Sequence, residues 1–422
     1  MNEKDFAKVL EIGRPPNIRK LFPHSRALLV SGKVVDRAML AKGKSISIAA
    51  NGRSHLVLRG ALQAAQRANS AIIVEIARSE CTYCAVNFWN IARQADALCN
   101  ELGITVPVAI HADHYGIKKA EDIGPAKIEI PSMFDAGITS IAIDASHMPD
   151  AENLLANIEL YSFVPDWASL ETEVGEIKGE EGLSTVDDAS FLIQGLNAHG
   201  IFADWIALNN GSVHGIEASG QGIQVDLTAE IHSKLEPYGV SGAQHGTSGN
   251  SSDRLREIAQ QTNTTKANVA TALQMISWGV EVNDYGNAIL DSSGNFKKIE
   301  GEGVTEETWA KMVAYAEEKG WNSGNFKKLN LPFENIILGQ AREIRNRMSK
   351  RVEDFVYNML VNVFNAADTA DLAKEILLQK GSFDLGGKVD RIENQEQWTR
   401  EKIIEKAKGL NINVGPEGDF DD

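Results

Sequence analysis

Eight short β-prone runs alternate with amphipathic stretches between Ser45 and Thr271, and this beat constrains the fold more than any other feature of the chain. The runs are Ser45–Ala50, Ala71–Ile76, Val106–His111, Thr139–Asp144, Asp166–Glu173, Trp205–Asn209, Val240–His245 and Lys266–Thr271. Between them, Ser54–Asn69, Asn90–Leu102 and Ser251–Gln260 read as helices, the last with Ser252 as its N-cap. Such alternation builds a parallel sheet covered by helices. An open doubly wound sheet and a closed barrel share the local pattern but collect polar groups differently. The open sheet gathers its ligands at a switch point, whereas a barrel gathers them at the C-terminal ends of several strands. Here several runs end in titratable or polar residues. The expectation is therefore an α/β protein, a (β/α)8 TIM barrel with N-terminal and C-terminal helical extensions.

The richest strand end is VPVAIHADHYGIKK, Val106 to Lys119. Alternation puts His111 and Asp113 on one face, with His114 turning at the end of the strand. Leu170-Glu171-Thr172-Glu173, Asn210-Gly211-Ser212-Val213-His214 and Gly242-Ala243-Gln244-His245-Gly246 end in the same kinds of residue. His114, His214 and His245 follow the third, sixth and seventh runs, ends that converge in a barrel. Three imidazoles with an open position suit a catalytic divalent site, and zinc suits nitrogen ligands best. His147 follows the fourth run as a further candidate site group, and Asn51 follows the first as a candidate substrate contact. His24, His55, His199 and His232 have no such placement. Two loops look built for phosphate. His245-Gly246-Thr247-Ser248-Gly249-Asn250 and Asn268-Val269-Ala270-Thr271 each feed a helix, after strands seven and eight, where barrels bind anions through backbone N–H groups. The loop Gly175–Gly182, glycine-punctuated and acidic, is suited to close over a substrate and deliver a base.

The 422 residues, 43% of them hydrophobic, suffice for a barrel-sized core with additions. A net charge of -16 argues against nucleic acid and anionic membranes as partners. No apolar run approaches the roughly 20 residues a membrane span needs, and the polar start carries no signal peptide. Of three cysteines, Cys81 and Cys84 form a lone CxxC, which reads as two ordinary thiols. A reducing cytoplasm is the expected location. Residues 1–44 are expected to form an N-terminal helical cover, 45–285 the catalytic barrel, 286–331 an insertion and 332–422 a C-terminal helical extension. Within the insertion SGNFKK occurs twice, at Ser293–Lys298 and Ser323–Lys328, as paired turns flanking a helix capped by Thr305. In the extension, Val352, Phe355, Val356, Met359, Leu360 and Val363 form an apolar stripe that must cover the barrel or another subunit. The stripe favours a homodimer or larger assembly.

Together, HADH, LETEVG…GEEG, NGSVHG, QHGTSG and KANVAT resemble the class II, metal-dependent fructose-bisphosphate aldolases, in their long form, from about Ser45 to Thr271. The resemblance implies a (β/α)8 barrel that reversibly cleaves fructose 1,6-bisphosphate to dihydroxyacetone phosphate and glyceraldehyde 3-phosphate. It implies Zn2+ on His114, His214 and His245, with Glu173 holding the metal in an alternative position. Asp113 would exchange a proton with the C4 hydroxyl, and Glu181 would be the base at the dihydroxyacetone phosphate carbon. Gly215, Gly246, Ser248, Asn268 and Thr271 match positions for the ketose, its phosphate or a monovalent cation, K+ or Na+. Three features depart from the family: Ala270 stands where Asp is usual, the serine expected near Ala77 is missing, and the arginine for the second phosphate lacks a counterpart in Asn335–Gln340, leaving Arg342 or Arg345 to substitute. The alternatives are therefore a tagatose or sedoheptulose bisphosphate aldolase, or a non-catalytic sugar-phosphate-binding subunit.

Overall fold

The computed structural model describes residues 3–175, 182–211, 222–247, 250–283, 286–292 and 294–410. Nine strands run in chain order: β1 (Leu29–Val30), β2 (Ser47–Asn51), β3 (Ile72–Ala77), β4 (Val108–Gly116), β5 (Ser140–Asp144), β6 (Ser169–Val174), β7 (Trp205–Leu208), β8 (Ser241–Gln244) and β9 (Thr264–Val269). Strands β2 to β9 pair in sequence, all parallel, and β9 returns to β2 with Ala49 opposite Asn268. The barrel of eight is thereby closed, as expected. The predicted runs match β2–β9 within a few residues at each end.

Strand β1 lies outside the predicted set. Its two residues pair with Val108 and Ala109, the part of β4 that precedes the first β4–β5 pair, His111 opposite Ser140. It fills the notch that strand stagger leaves at the barrel floor. The chain then enters the helix Gly32–Lys42, capped by Ser31, which packs beneath β2, β3, β4 and β9. Gly32 approaches the barrel so closely that a Cβ there would sit 2.4 Å from Ser169 Oγ. Only glycine allows this approach, and the backbone of the helix start sits directly against the floor of the barrel.

Helix His55–Ala68 follows β2, with Ser54 as its N-cap, and Ile91–Leu102 follows β3. After β8 comes Ser252–Gln261, capped by Ser251, whose hydroxyl accepts the Arg254 N–H, and not by Ser252. Two adjacent serines satisfy the same cap rule, and the backbone turn selects between them. The expected helix after the eighth strand spans Thr271–Trp278.

The apolar stripe of the C-terminal extension is answered by the barrel itself. Val352, Val356, Met359, Leu360 and Val363 are buried in the main core, and helix Arg342–Asn358 packs along His55–Ala68. At the crossing a Cβ on Gly60 would meet Ser349 O at 2.4 Å, so the two helix backbones touch. The stripe accordingly carries no argument for a second subunit. A second, smaller core joins the insertion to its neighbours: Phe296, Trp309, Met312 and Leu329 pack with Trp278, Leu56, Phe333 and Met348. The two SGNFKK copies adopt different structures. In the first, Lys298 bridges to Val280 and Phe296 to Leu290, whereas the second is a 3-10 helix, Ser323–Leu329. Their phenylalanines meet edge to face, Phe296 and Phe326 having centroids 5.0 Å apart. The repeat thus makes two halves of one contact and not two like turns. Thr305 caps helix Glu306–Glu318 as expected.

Past helix Thr369–Lys380 the extension returns to the floor. Lys388 Nζ donates to Asp36 Oδ2 at 2.8 Å, to Ser241 Oγ at 2.8 Å and to the Asp204 carbonyl at 3.0 Å. Arg37 Nη1 lies between Asp204 at 2.6 Å and Asp36 at 2.9 Å. Replacing Lys388 by Met removes one partner of a buried charge, a change that costs about 3–5 kcal/mol. Because Arg37 remains, the low end, roughly 3 kcal/mol, is expected in urea unfolding, with metal content unchanged. Unfolding coincident with the wild type would show that the clamp contributes nothing.

Candidate metal and catalytic site

Inside the barrel the two-residue period aims Glu75 (β3), His111 and Asp113 (β4), Glu171 and Glu173 (β6) and Lys266 and Asn268 (β9) inward. All seven are buried. His114 should by the same period face outward. It does not, because β4 is bulged: pairing with β5 shifts between Ala112 and Tyr115, and His114 takes φ +41°. A left-handed non-glycine residue costs on the order of 1–3 kcal/mol. The strand does not end at His111 but runs on to Gly116, and the bulge turns two consecutive residues, Asp113 and His114, toward the mouth.

The geometry at the mouth suits a cation. His114 Nδ1 lies 3.2 Å from Glu173 Oε1 and 3.4 Å from Asp144 Oδ2. The rings of His114 and His245 have centroids 4.4 Å apart. His245 Nε2 is 2.8 Å from Glu171 Oε1, so this nitrogen carries the proton and Nδ1 is the lone-pair side, 3.8 Å from Glu173 Oε2. Glu173 Oε1 is buried without a hydrogen bond. Burial, reinforced by the Asp144 charge, pushes the Glu173 carboxyl up to about 8. Burial opposes ionisation of Asp113 as well, but His114 and the Lys266 ammonium outweigh it and hold that carboxyl down at about 2. The donor set therefore fits a divalent ion: two imidazoles and carboxylates whose ligand atoms lie within 4.8 Å of one another, in the groups Asp113–His114–His245, His114–Asp144–Glu173 and Glu171–Glu173–His245.

Asp144 was not among the expected site residues, although it ends the fourth run, three residues before His147. The carboxylate reaches the cluster, held by the Ser146 hydroxyl at 2.6 Å, while His147 lies half-buried in the turn that follows. Glu171 and Lys266 were missed too. Glu171 stood beside Glu173 at the right parity, and Lys266 was visible as a lysine two residues before Asn268, on the same face of a fully buried strand. Glu181, His214, Gly215 and Ser248 lie outside the described residues.

The remaining expected residues fall around the rim. Asn51, at the end of β2, donates to Glu80 Oε2 at 2.5 Å and keeps its buried carbonyl oxygen unbonded. Gly246 has φ +57°, a conformation open to glycine, and the next residue's hydroxyl, Thr247 Oγ1, donates to the Asn268 carbonyl, which ties the two phosphate-type loops together. Thr271 begins helix Thr271–Trp278; its predecessor Ala270 provides no side-chain cap, which leaves the first amides of that helix to the loop side. Arg342 is exposed and Arg345 is half-buried near His55. The arginine at the rim is Arg53, which binds Glu80 at 2.5 Å and reaches Gln274 at 2.8 Å and the Thr271 hydroxyl at 3.3 Å. Its charge is therefore already matched by Glu80. The cysteines are free thiols, and burial pushes Cys81 up to about 12, which leaves it unreactive. Among the described residues no helix is long and apolar enough to cross a membrane.

Comparison with known proteins agrees with this geometry. Residues 34–343, well over half of the chain, match the profile described as fructose-bisphosphate aldolase class-II. A fructose-bisphosphate aldolase of Staphylococcus epidermidis is 31% identical over 160 residues, 36% of this chain and 52% of that protein. One from Streptococcus pyogenes serotype M3 is 29% identical over 214 residues, 49% of this chain and 64% of that protein. The match thus spans about half to two-thirds of the length of these curated relatives. Among solved structures, the YdjI aldolase from Escherichia coli K12 superposes with a TM-score of 0.54 at 17% identity, covering 81% of this chain and 99% of that one. The fructose-bisphosphate aldolase of Campylobacter jejuni does so with a TM-score of 0.51 at 17% identity, covering 81% and 97%. These structures share the barrel fold. The extent of the profile match, over a barrel whose mouth gathers these histidines and carboxylates, places the chain in the class II fructose-bisphosphate aldolase family of lyases.

Proposed function

We propose that the protein is a zinc-dependent aldolase that reversibly cleaves fructose 1,6-bisphosphate to dihydroxyacetone phosphate and glyceraldehyde 3-phosphate in the cytoplasm. The observation that carries this reading is the meeting of Asp113, His114, Glu173, His245 and Asn268 at one barrel mouth. His114, His214 and His245 would hold the metal, with Glu173 as an alternative ligand. A divalent ion there supplies a Lewis acid that polarises a ketone. Asp113, ionised and acceptor-ready, takes the C4 hydroxyl proton as the C3–C4 bond breaks and the aldehyde leaves. The electron pair stays on C3 of the three-carbon fragment, and Glu181 returns a proton to that carbon. Gly215, Gly246, Ser248, Asn268, Thr271 and Asn51 position the sugar phosphate, with K+ or Na+ as counter-ion.

Protein stripped by a chelator should lose cleavage and regain it with zinc. Cleavage that survives chelation and is trapped by borohydride would rule out the metal route. His214→Ala should lower zinc content and turnover together, since three-ligand sites have none to spare. Glu181→Ala should keep its zinc and lose roughly 10²–10⁴-fold in kcat, the usual cost of removing a general base, with KM little changed. Loss of metal, or near-normal turnover, would remove Glu181 from that role. A panel of fructose, tagatose and sedoheptulose bisphosphates, with products identified directly, should show the highest kcat/KM for the fructose compound. Metal binding without turnover on any of the three would mark a sugar-phosphate-binding subunit instead.

A further inference from the structure

Below the mouth, where barrels are normally filled by branched apolar side chains, this barrel carries an ammonium. Lys266 has no exposed side-chain surface. Its Nζ lies 2.8 Å from Glu171 Oε2, 3.4 Å from Glu75 Oε2 and 3.7 Å from Asp113 Oδ1, and it donates to Asn268 Oδ1 at 2.7 Å. We propose that Lys266 is a positioning residue that sets, from below, both the orientation of the amide facing Asp113 and the protonated nitrogen of His245. The proposal rests on the aldolase reading for the role of Asp113.

The argument follows from donor and acceptor inventories. An ammonium only donates, so Asn268 must turn its oxygen to Lys266. Its NH2 then faces the other way, and Nδ2 donates to Asp113 Oδ1 at 2.9 Å. Without Lys266 the amide oxygen loses its donor, and the NH2 is held on Asp113 by a single contact from an amide no longer anchored at its other end. On the other branch, the Lys266 ammonium lies 2.8 Å from Glu171 Oε2 and holds that carboxyl in place, with Oε1 turned to His245. With Oε2 taken by Lys266, Oε1 is the acceptor left for His245 Nε2 at 2.8 Å, and His245 presents Nδ1 to the mouth. The one buried charge thus orients a proton acceptor and fixes a ligand tautomer. The same contacts exclude a nucleophilic role: Lys266 is held protonated, its pKa raised by Glu171, Glu75 and Asp113 in spite of burial.

The test uses the full chain, with zinc affinity measured by chelator competition and turnover measured separately. Lys266→Met should weaken zinc binding and lower kcat, each by about 10–100-fold, as loss of an outer-shell partner does. Lys266→Met combined with Glu171→Gln removes the orphaned carboxylate but keeps an acceptor for His245. The double variant should therefore recover zinc affinity and melting temperature while kcat stays at least about 10-fold down, because the Asn268 amide is still unanchored. Should the single variant fail to fold, the double variant carries the test. Wild-type zinc affinity and kcat in Lys266→Met would overturn the proposal. So would recovery of kcat in the double variant, which would make Lys266 a charge neutraliser only, and so would a double variant that does not fold. A wild-type protein that binds zinc but cleaves no ketose bisphosphate would instead refute the function proposed above.

Discussion

Desolvation of carboxylates is the constraint on which this structure depends. Glu75, Asp113, Asp144, Glu171 and Glu173 are all buried within one barrel end. Carboxylates taken out of water either find positive partners or pick up a proton. The protein uses both routes. Lys266 and the histidines keep Asp113 and Glu171 ionised, whereas Glu75, buried beside the Asp113 charge, is raised well above the usual carboxylate range. Glu173 lies between these outcomes, and it is the carboxylate closest to His114 Nδ1. A divalent ion at the mouth would tip that balance toward the ionised form. Metal affinity and the protonation of the mouth are on this account one equilibrium.

The frame that holds these groups is rigid for reasons far from them. Parallel pairing around the full circuit leaves no free edge in the eight-stranded wall, and each inward side chain inherits its height from strand register. The floor is closed by a helix start whose backbone touches Ser169, and by charges on Asp36, Arg37, Asp204 and Lys388 that satisfy one another. The added C-terminal helices bury their apolar stripe on the wall, so they brace the barrel from its side.

Fold class was legible because it depends on a long-range rhythm that single residues cannot blur. Strands β2–β9 follow from apolar runs spaced by helices, and helix starts at Ser54 and Thr305 follow from cap chemistry. Strand β1 was not legible, because two residues are too few to show a period. Of the site, the placement of Asp113 was readable from parity, and that of Glu173 and His245 from their positions at strand ends. His114 was named as a site residue, but its reason for facing the mouth was not readable, since a bulge adds a residue without any mark in composition. Lys266 and Glu171 were passed over because charges inside a buried strand contradict burial rules until their partners are seen together. The SGNFKK copies misled for the opposite reason. Identical sequence implies like structure only where the surroundings are alike, and here the second copy folds into a helix against the first.

The contact between Lys388 and Asp36 joins residues 352 positions apart. During synthesis, every strand of the barrel emerges long before Lys388 does. The nascent protein must therefore carry a floor in which Asp36 has Arg37 and the Thr265 hydroxyl but not yet Lys388. The clamp of the floor thus comes from a segment that follows the whole barrel in the chain, and a chain that stops short of Lys388 keeps all eight strands yet is left with the less stable floor.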